Sequence, residues 1–267
     1  MAETRESIFR QVDDVLGDYQ PISLAEMSAV KLMNRIDAKY LIPLVQLKPL
    51  LETARSQYYV QVIDGKPTAS YHTIYLDTDD HRMYELHQTG RKVRQKVRVR
   101  TYLETGTVFL EVKNKNNHGR TKKKRIEVPS FDSVFHSQEA SEFVEQKSWF
   151  TIDQLHPHVE NFFDRITLIN HAMTERLTID LGLRFHNFDI DTRADIGHCV
   201  VIELKRDGLT HSPMQDIFLD MRIHPGGFSK YLIGSAFTNP ALRHNNLKEK
   251  MHRVERFRLQ QQGLLVM

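Results

Sequence analysis

Residues 92–102, KVRQKVRVRTY, alternate cations with aliphatic side chains. Lys92, Arg94, Lys96, Arg98, Arg100 and Tyr102 take the even positions, and Val93, Val97 and Val99 stand at odd ones. A β-strand sends successive side chains to opposite faces. A strand here therefore has one face almost wholly cationic and one aliphatic. No acid interrupts the run. Cations crowded on one face repel each other unless an anion sits among them.

The same division recurs. Val108, Leu110 and Val112 oppose Phe109, Glu111 and Lys113. Lys123, Arg125 and Glu127 oppose Lys124, Ile126 and Val128. Arg176, Thr178 and Asp180 oppose Leu177, Ile179 and Leu181, and Cys199, Val201, Glu203 and Lys205 oppose Val200, Ile202 and Leu204. Each segment alone fits a meander with one core face and one solvated face. Taken together they predict a closed barrel, its apolar side outward beneath helices, with the cations around one channel. Such a channel traps a linear polyanion.

The charge balance agrees. The 267 residues carry a net charge of only +3, with a pI near 8.8. That is too even for a protein that coats itself in nucleic acid, so anion binding must come from local clustering. The single cysteine, Cys199, excludes an internal disulfide and fits a reducing, cytoplasmic setting. The first twenty residues have no apolar segment of signal-peptide type, and no stretch is long enough to predict a transmembrane helix. We expect one domain over residues 1–267, with a core at about 30–237 and helical ends. Helical spacing of Ile8, Phe9, Val12, Val15 and Leu16 predicts a first helix. Further helices are expected at 44–56 (broken or started at Pro49), as a pair over 133–159, and after Pro240. Asp77, Asp79 and Asp80 read as a turn after the strand YHTIYLD. There is no HExxH, paired Cys/His spacing, GxxxxGK[ST] or GxGxxG, which argues against zinc, P-loop and dinucleotide sites.

RIDAKYLIP at 35–43, YLDTDD at 75–80, KVRVRTY at 96–102, FLEVKNK at 109–115 and GRTKKKRIEV at 119–128 stand in a telling order. DRITL at 164–168, ERLTIDLGLRF at 175–185, VIELK at 201–205 and GGFSKYLIG at 226–234 complete it. Together they resemble the vacuolar transporter chaperone (VTC) domain, the polyphosphate polymerase branch of the triphosphate tunnel superfamily. The resemblance implies an α+β fold, a closed antiparallel tunnel of about eight strands with helices packed outside. It implies transfer of the γ-phosphate of ATP or another nucleoside triphosphate to inorganic polyphosphate, with Mn²⁺ or Mg²⁺. It assigns Lys39, Arg98, Arg100, Lys113, Arg165 and Arg176 to catalysis. Lys96, Lys123, Arg125, Lys205, Ser229 and Lys230 would bind phosphate, and Glu203 would hold the metal, with Glu111, Asp180 or Asp37 as helpers. Arginine offers phosphate a planar fork of donors, and a helix starting at Ser229 offers free N–H groups. Triphosphatases of the superfamily usually open with ExExK, whereas this chain has Arg35, Asp37 and Lys39. That favours the polymerase over one alternative, a metal-dependent tripolyphosphatase or nucleoside triphosphatase; a second alternative is a non-catalytic polyphosphate-binding module, to which loss of Glu203 would have pointed. No nucleic acid or membrane insertion is expected; a membrane or accessory protein is a candidate partner.

Overall fold

The structure is a computed structural model that describes residues 4–27, 35–208 and 210–264. Residues 30–34 and 209 of the expected core thus lie outside the described residues. The strands are β1 (Gln20–Ile22), β2 (Arg35–Pro43), β3 (Tyr58–Gln61), β4 (Thr68–Asp77), β5 (Arg94–Tyr102) and β6 (Val108–Lys115). They continue as β7 (Thr121–Val128), β8 (His156–Asn170), β9 (Glu175–Asn187), β10 (Thr192–Asp195) and β11 (Cys199–Asp207). The α-helices are α1 (Arg5–Gly17), α2 (Leu24–Met27), α3 (Leu47–Ala54), α4 (Arg82–Gln88), α5 (Gln138–Lys147), α6 (Pro213–Asp220), α7 (Lys230–Thr238) and α8 (Lys248–Gln261).

The main path of the sheet runs β2-β11-β9-β8-β4-β5-β6-β7, with every neighbour antiparallel. It curls strongly, but β2 and β7 end the path without pairing to each other. The expected closed barrel is therefore corrected to an open half-barrel. The chemistry of the two edges explains why. Nearly all of β7 is exposed and carries Lys122, Lys123, Lys124 and Arg125, while the outer end of β2 exposes Arg35 to Asp37. Charged edge strands resist further pairing.

The convex side is apolar, as the alternation predicts. Ile166, Leu168, Leu177, Ile179, Val200, Ile202 and Leu204 bury against α1, α3 and α6 through Ile8, Val12, Leu47, Leu51, Ile217 and Phe218. Val97, Leu110 and Val112 share a core with Ala140 and Val144 of α5. Pro49 falls in the first turn of α3, where the missing N–H is harmless.

Two expectations change. Residues 133–159 do not form two helices: a short 3₁₀ turn and α5 are followed by a second 3₁₀ turn, and β8 begins at His156. Pairing of β8 to both β4 and β9 outweighs local preference there. Helices also do not all pack outside. Lys230 of α7 meets Asp180, and its Tyr231 ring meets that of Tyr75, so α7 lies within the concavity. It comes so close that a Cβ on Gly234 would stand 2.4 Å from the Phe185 ring. Glycine is required for that approach.

Candidate functional site

Directly opposed residues of an antiparallel ladder share a face. Lys39 opposes Glu203, which opposes Thr178; Asp37 opposes Lys205, which opposes Arg176. Arg165 opposes Asp180 on one side and Ala69 on the other. Thr73 and Tyr75 oppose Arg100 and Arg98. Arg98 then opposes Glu111, which opposes Arg125, and Lys96 opposes Lys113, which opposes Lys123. The register thus carries one face across the whole half-barrel. Arg98, Arg100, Lys113, Arg176 and Glu203 all stand on the concave side, as their shared parity predicts. Lys124, inside the basic run, falls on the opposite face.

Helix α7 brings the remaining candidates. Ser229 is its N-cap, and the Ser229 hydroxyl accepts from the Leu232 N–H at 3.3 Å and from Lys96 Nζ at 2.9 Å. Lys230 Nζ donates to Asp180 and lies 4.1 Å from the centre of the Phe163 ring. Lys39 Nζ donates to the Phe228 carbonyl at 3.2 Å.

Glu111, Asp180, Glu203 and Asp37 on this face are already engaged. Glu111 is fully buried and accepts from Arg98 Nε at 2.7 Å and Lys123 Nζ at 2.9 Å. Asp180 accepts a bidentate pair from Arg165 at 2.6 and 2.8 Å, besides Lys230. Lys205 stands between Glu203 at 2.7 Å and Asp37 at 3.4 Å, and Asp37 also meets Arg35 at 2.7 Å. Against these, Lys96, Arg100, Lys113 and Arg176 make no ion pair among the described residues. Arg100 Nε donates to Thr73 Oγ1 at 3.0 Å, its guanidinium resting 5.5 Å from Tyr71 and 5.7 Å from Phe163. Arg176 Nε and Thr178 Oγ1 are buried without any partner. Buried donors without partners are costly, and here they face a concavity rich in positive charge.

Proton affinities register that excess. Burial, then Lys39 and Arg98, push the Lys96 ammonium well below its ordinary range, and Arg98, burial and Arg100 do the same to Lys113. Burial, Arg98 and Arg165 take Arg100 down to about 10. Burial takes Lys230 down to about 7, with Arg165 adding to the fall and Asp180 opposing it. Burial would raise the carboxyls, but Arg98, Arg100 and Lys123 hold Glu111 well below its usual range. Arg165 and Lys230 do so for Asp180, and Lys39 and Lys205 bring Glu203 to about 2. The face thus keeps Glu111, Asp180 and Glu203 charged, while burial and like charges make Lys96, Lys113 and Lys230 hold their protons less tightly.

This has a measurable consequence. A polyanion beside Lys230 restores its ammonium, so above pH 7 binding should take up protons and affinity should fall toward pH ~10. The empty protein should gain stability over the same window, because the unfolded lysine there holds a proton that the folded one has released. Calorimetry at pH 8 in two buffers of different ionisation enthalpy reads the uptake directly. Buffer-independent heats would contradict this account.

Three residues that position the site escaped the sequence reading. Asp77, read as part of a turn, is buried; it accepts from the Met83 and Tyr84 N–H groups at 2.9 Å and from the Tyr231 hydroxyl. It therefore locks the start of α4 to α7. Tyr71 and Phe163 stack 5.2 Å apart and form a shelf beneath Arg100 and Arg165. An acid just before a helix was a readable signal for Asp77; nothing local marked the aromatic shelf.

The site is thus a curled antiparallel sheet with a cation-lined concavity, entered by the N-terminus of an internal helix. The chain belongs to the VTC domain family, which its residues 34–239 match. Among solved structures it is similar to a putative adenylate cyclase from Vibrio parahaemolyticus, at 10% identity and a TM-score of 0.43, covering 76% of this chain and 99% of that one. It is also similar to a putative adenylyl cyclase from Hippeastrum described as having a dominant triphosphatase activity. There the identity is 15% and the TM-score 0.47, with 79% of this chain and 100% of that one covered. No curated protein sequence matches the chain. No helix among the described residues is long and apolar enough to cross a membrane.

Proposed function

We propose that this protein is a polyphosphate polymerase, which transfers the γ-phosphate of ATP or another nucleoside triphosphate to a growing inorganic polyphosphate chain. One observation carries the reading: the concave face holds cations far in excess of its acids, and those acids are engaged by only part of them. The surplus suits a ligand with charge at every repeat. The terminal phosphate oxygen of the chain, or orthophosphate at initiation, attacks the γ-phosphorus. A new P–O bond forms as the bond to the bridging oxygen breaks, and a nucleoside diphosphate leaves. No side-chain nucleophile is needed; alignment and neutralisation of charge do the catalysis.

In this reading Arg98, Arg100 and Lys113 hold the phosphates on one wall, and Arg165, Arg176 and Lys39 hold them on the other. Lys96, Lys123, Arg125 and Lys205 extend the lining. Ser229 and Lys230 present the α7 N-terminus, whose free N–H groups favour an anion. The donor set fits Mg²⁺ or Mn²⁺ when phosphate oxygens complete the shell. Glu203 is ionised and partly open, and Asp37 reaches the same Lys205 ammonium, whose charge a divalent ion would replace. Bound there, such an ion would screen phosphate charge and ease departure of the diphosphate. Arg35 and Lys39 flank the single acid of β2, leaving fewer metal ligands than an ExExK hydrolase has.

Purified protein incubated with ATP and Mn²⁺ or Mg²⁺ should build internal-phosphate resonances in ³¹P NMR spectra. Orthophosphate alone would replace this reading with hydrolysis, and no turnover with intact polyphosphate binding would replace it with a binding module.

A further inference from the structure

We infer that His81, His158 and Asp189 form a binding site for a divalent transition-metal ion of the zinc class, separate from the cationic face. Each offers one ligand atom, and these atoms lie within 4.8 Å of one another. The residues are far apart in sequence. His81 closes the turn before α4, His158 sits near the start of β8, and Asp189 lies in the turn from β9 to β10. From His158 to Arg165 the strand runs for about 23 Å, whereas Arg98 lies two strands across from Val159, so the trio sits at one end of the concavity.

The surroundings point to a ligand. The His158 side chain is wholly buried, with Nδ1 2.6 Å from Asp189 Oδ2, and its Nε2 is buried with no partner. His81 Nδ1 is buried and unpartnered as well, while its Nε2 stands 3.9 Å from the same carboxylate oxygen. The two rings lie 4.5 Å apart. His158 Nδ1 and His81 Nε2 are the nitrogens that converge on the Asp189 carboxylate, and an ion held there would take one lone pair from each ring. His156, on the solvent side, brings Nε2 to 3.7 Å from Asp189 Oδ1 and would supply a fourth donor or yield its place to water.

The donor chemistry selects the ion. Two imidazoles and one carboxylate suit Zn²⁺, Co²⁺ or Ni²⁺, whereas Mg²⁺ prefers an all-oxygen shell. The backbone is already committed to the arrangement. His81 holds a left-handed conformation at φ 53°, with its N–H donating to Thr78 O at 2.8 Å. Asn187 Oδ1 accepts from the Asp189 N–H at 2.9 Å and fixes that turn. A bound ion would tie three separate segments together. It would also brace Tyr231 of α7, whose ring meets His158 edge-on at 5.9 Å.

Cobalt titration of metal-free protein, without phosphate, tests this. One equivalent of Co²⁺ should give the visible absorption of a low-coordinate nitrogen-ligated ion. Zn²⁺ at about 100-fold over its Kd should raise the melting temperature by about 5–10 °C. Both responses should vanish in His81→Ala, whose side chain is partly exposed, and in Asp189→Asn, yet persist in Glu203→Gln. A flat cobalt spectrum with an unchanged melting temperature in the wild type would overturn the assignment. So would wild-type binding by His81→Ala, or loss of binding in Glu203→Gln. Because no phosphate ligand enters the assay, failure here leaves the polymerase reading untouched, and failure of that reading leaves this site standing.

Discussion

Arg100→Ala should lower tripolyphosphate affinity by about 10- to 100-fold, the equivalent of ~1.5–3 kcal/mol for a lost hydrogen bond to a charged group, with little effect on folding. Arg100 has no acid partner; its Nε meets only Thr73, and Arg98 and Arg165 press on it as like charges. Removing it relieves repulsion, so stability should hold or rise. Arg98→Ala should behave differently. Arg98 neutralises the fully buried Glu111, and truncating one partner of a buried pair costs about 3–5 kcal/mol. Lys123 still reaches Glu111, which places the loss near the lower end. Replacing both arginines at once would mix a binding defect with a folding defect. The two are close enough that their effects should not add. Calorimetry and urea unfolding on each single variant separate the terms. Wild-type tripolyphosphate affinity in a folded Arg100→Ala protein would refute the placement of the phosphate site.

Glu203→Gln should lower metal-dependent turnover by about 100-fold or more, on the scale of removing one preorganised electrostatic contact in a site of this kind. Metal-free affinity for polyphosphate should be kept or improved, because a negative charge leaves the cationic face. Lys39, Lys205 and Arg165 hold this carboxyl near 2 against burial, so it is ionised throughout the pH range of any assay. Its contact with Lys205 is mostly buried, so the neutral side chain should also cost some stability. Turnover of protein that remains folded is the discriminating readout, and it should fall steeply. A pure ion-pair role would show the stability loss alone, with no change in metal requirement. Full turnover with an unaltered metal requirement would falsify the catalytic assignment.

Much of the site was legible in the strands. Alternation places Arg98, Arg100, Lys113, Arg176 and Glu203 on one face because a pleated strand has a period of two. That rule is local and needs no knowledge of neighbours. The Ser229 cap of α7 was legible for the same reason, since a hydroxyl before a helical run satisfies a nearby N–H. The VTC resemblance rested on the order of these local patterns.

Alternation says which side chains share a face but not which strands become neighbours, and the rest followed from that choice. It made Asp180 the partner of Arg165 and Lys230, and Glu111 the partner of Arg98 and Lys123, leaving Lys96, Arg100, Lys113 and Arg176 without acids. Pairing also drew 156–159 into β8 where local pattern suggested helix, and it left β2 and β7 apart, because a charged edge meets no partner that repays its desolvation. The position of α7 inside the curl depended on Gly234 meeting Phe185 and on Tyr231 reaching Asp77, contacts across long stretches of chain. His81, His158 and Asp189 are isolated residues in the sequence, without metal-ligand spacing, and only the folded turns bring them together. The sequence by itself determined the period of each strand and the charge of each face. The tertiary structure decided which charges are paired and which remain for a ligand, because pairing energies depend on distances that only the packed chain sets.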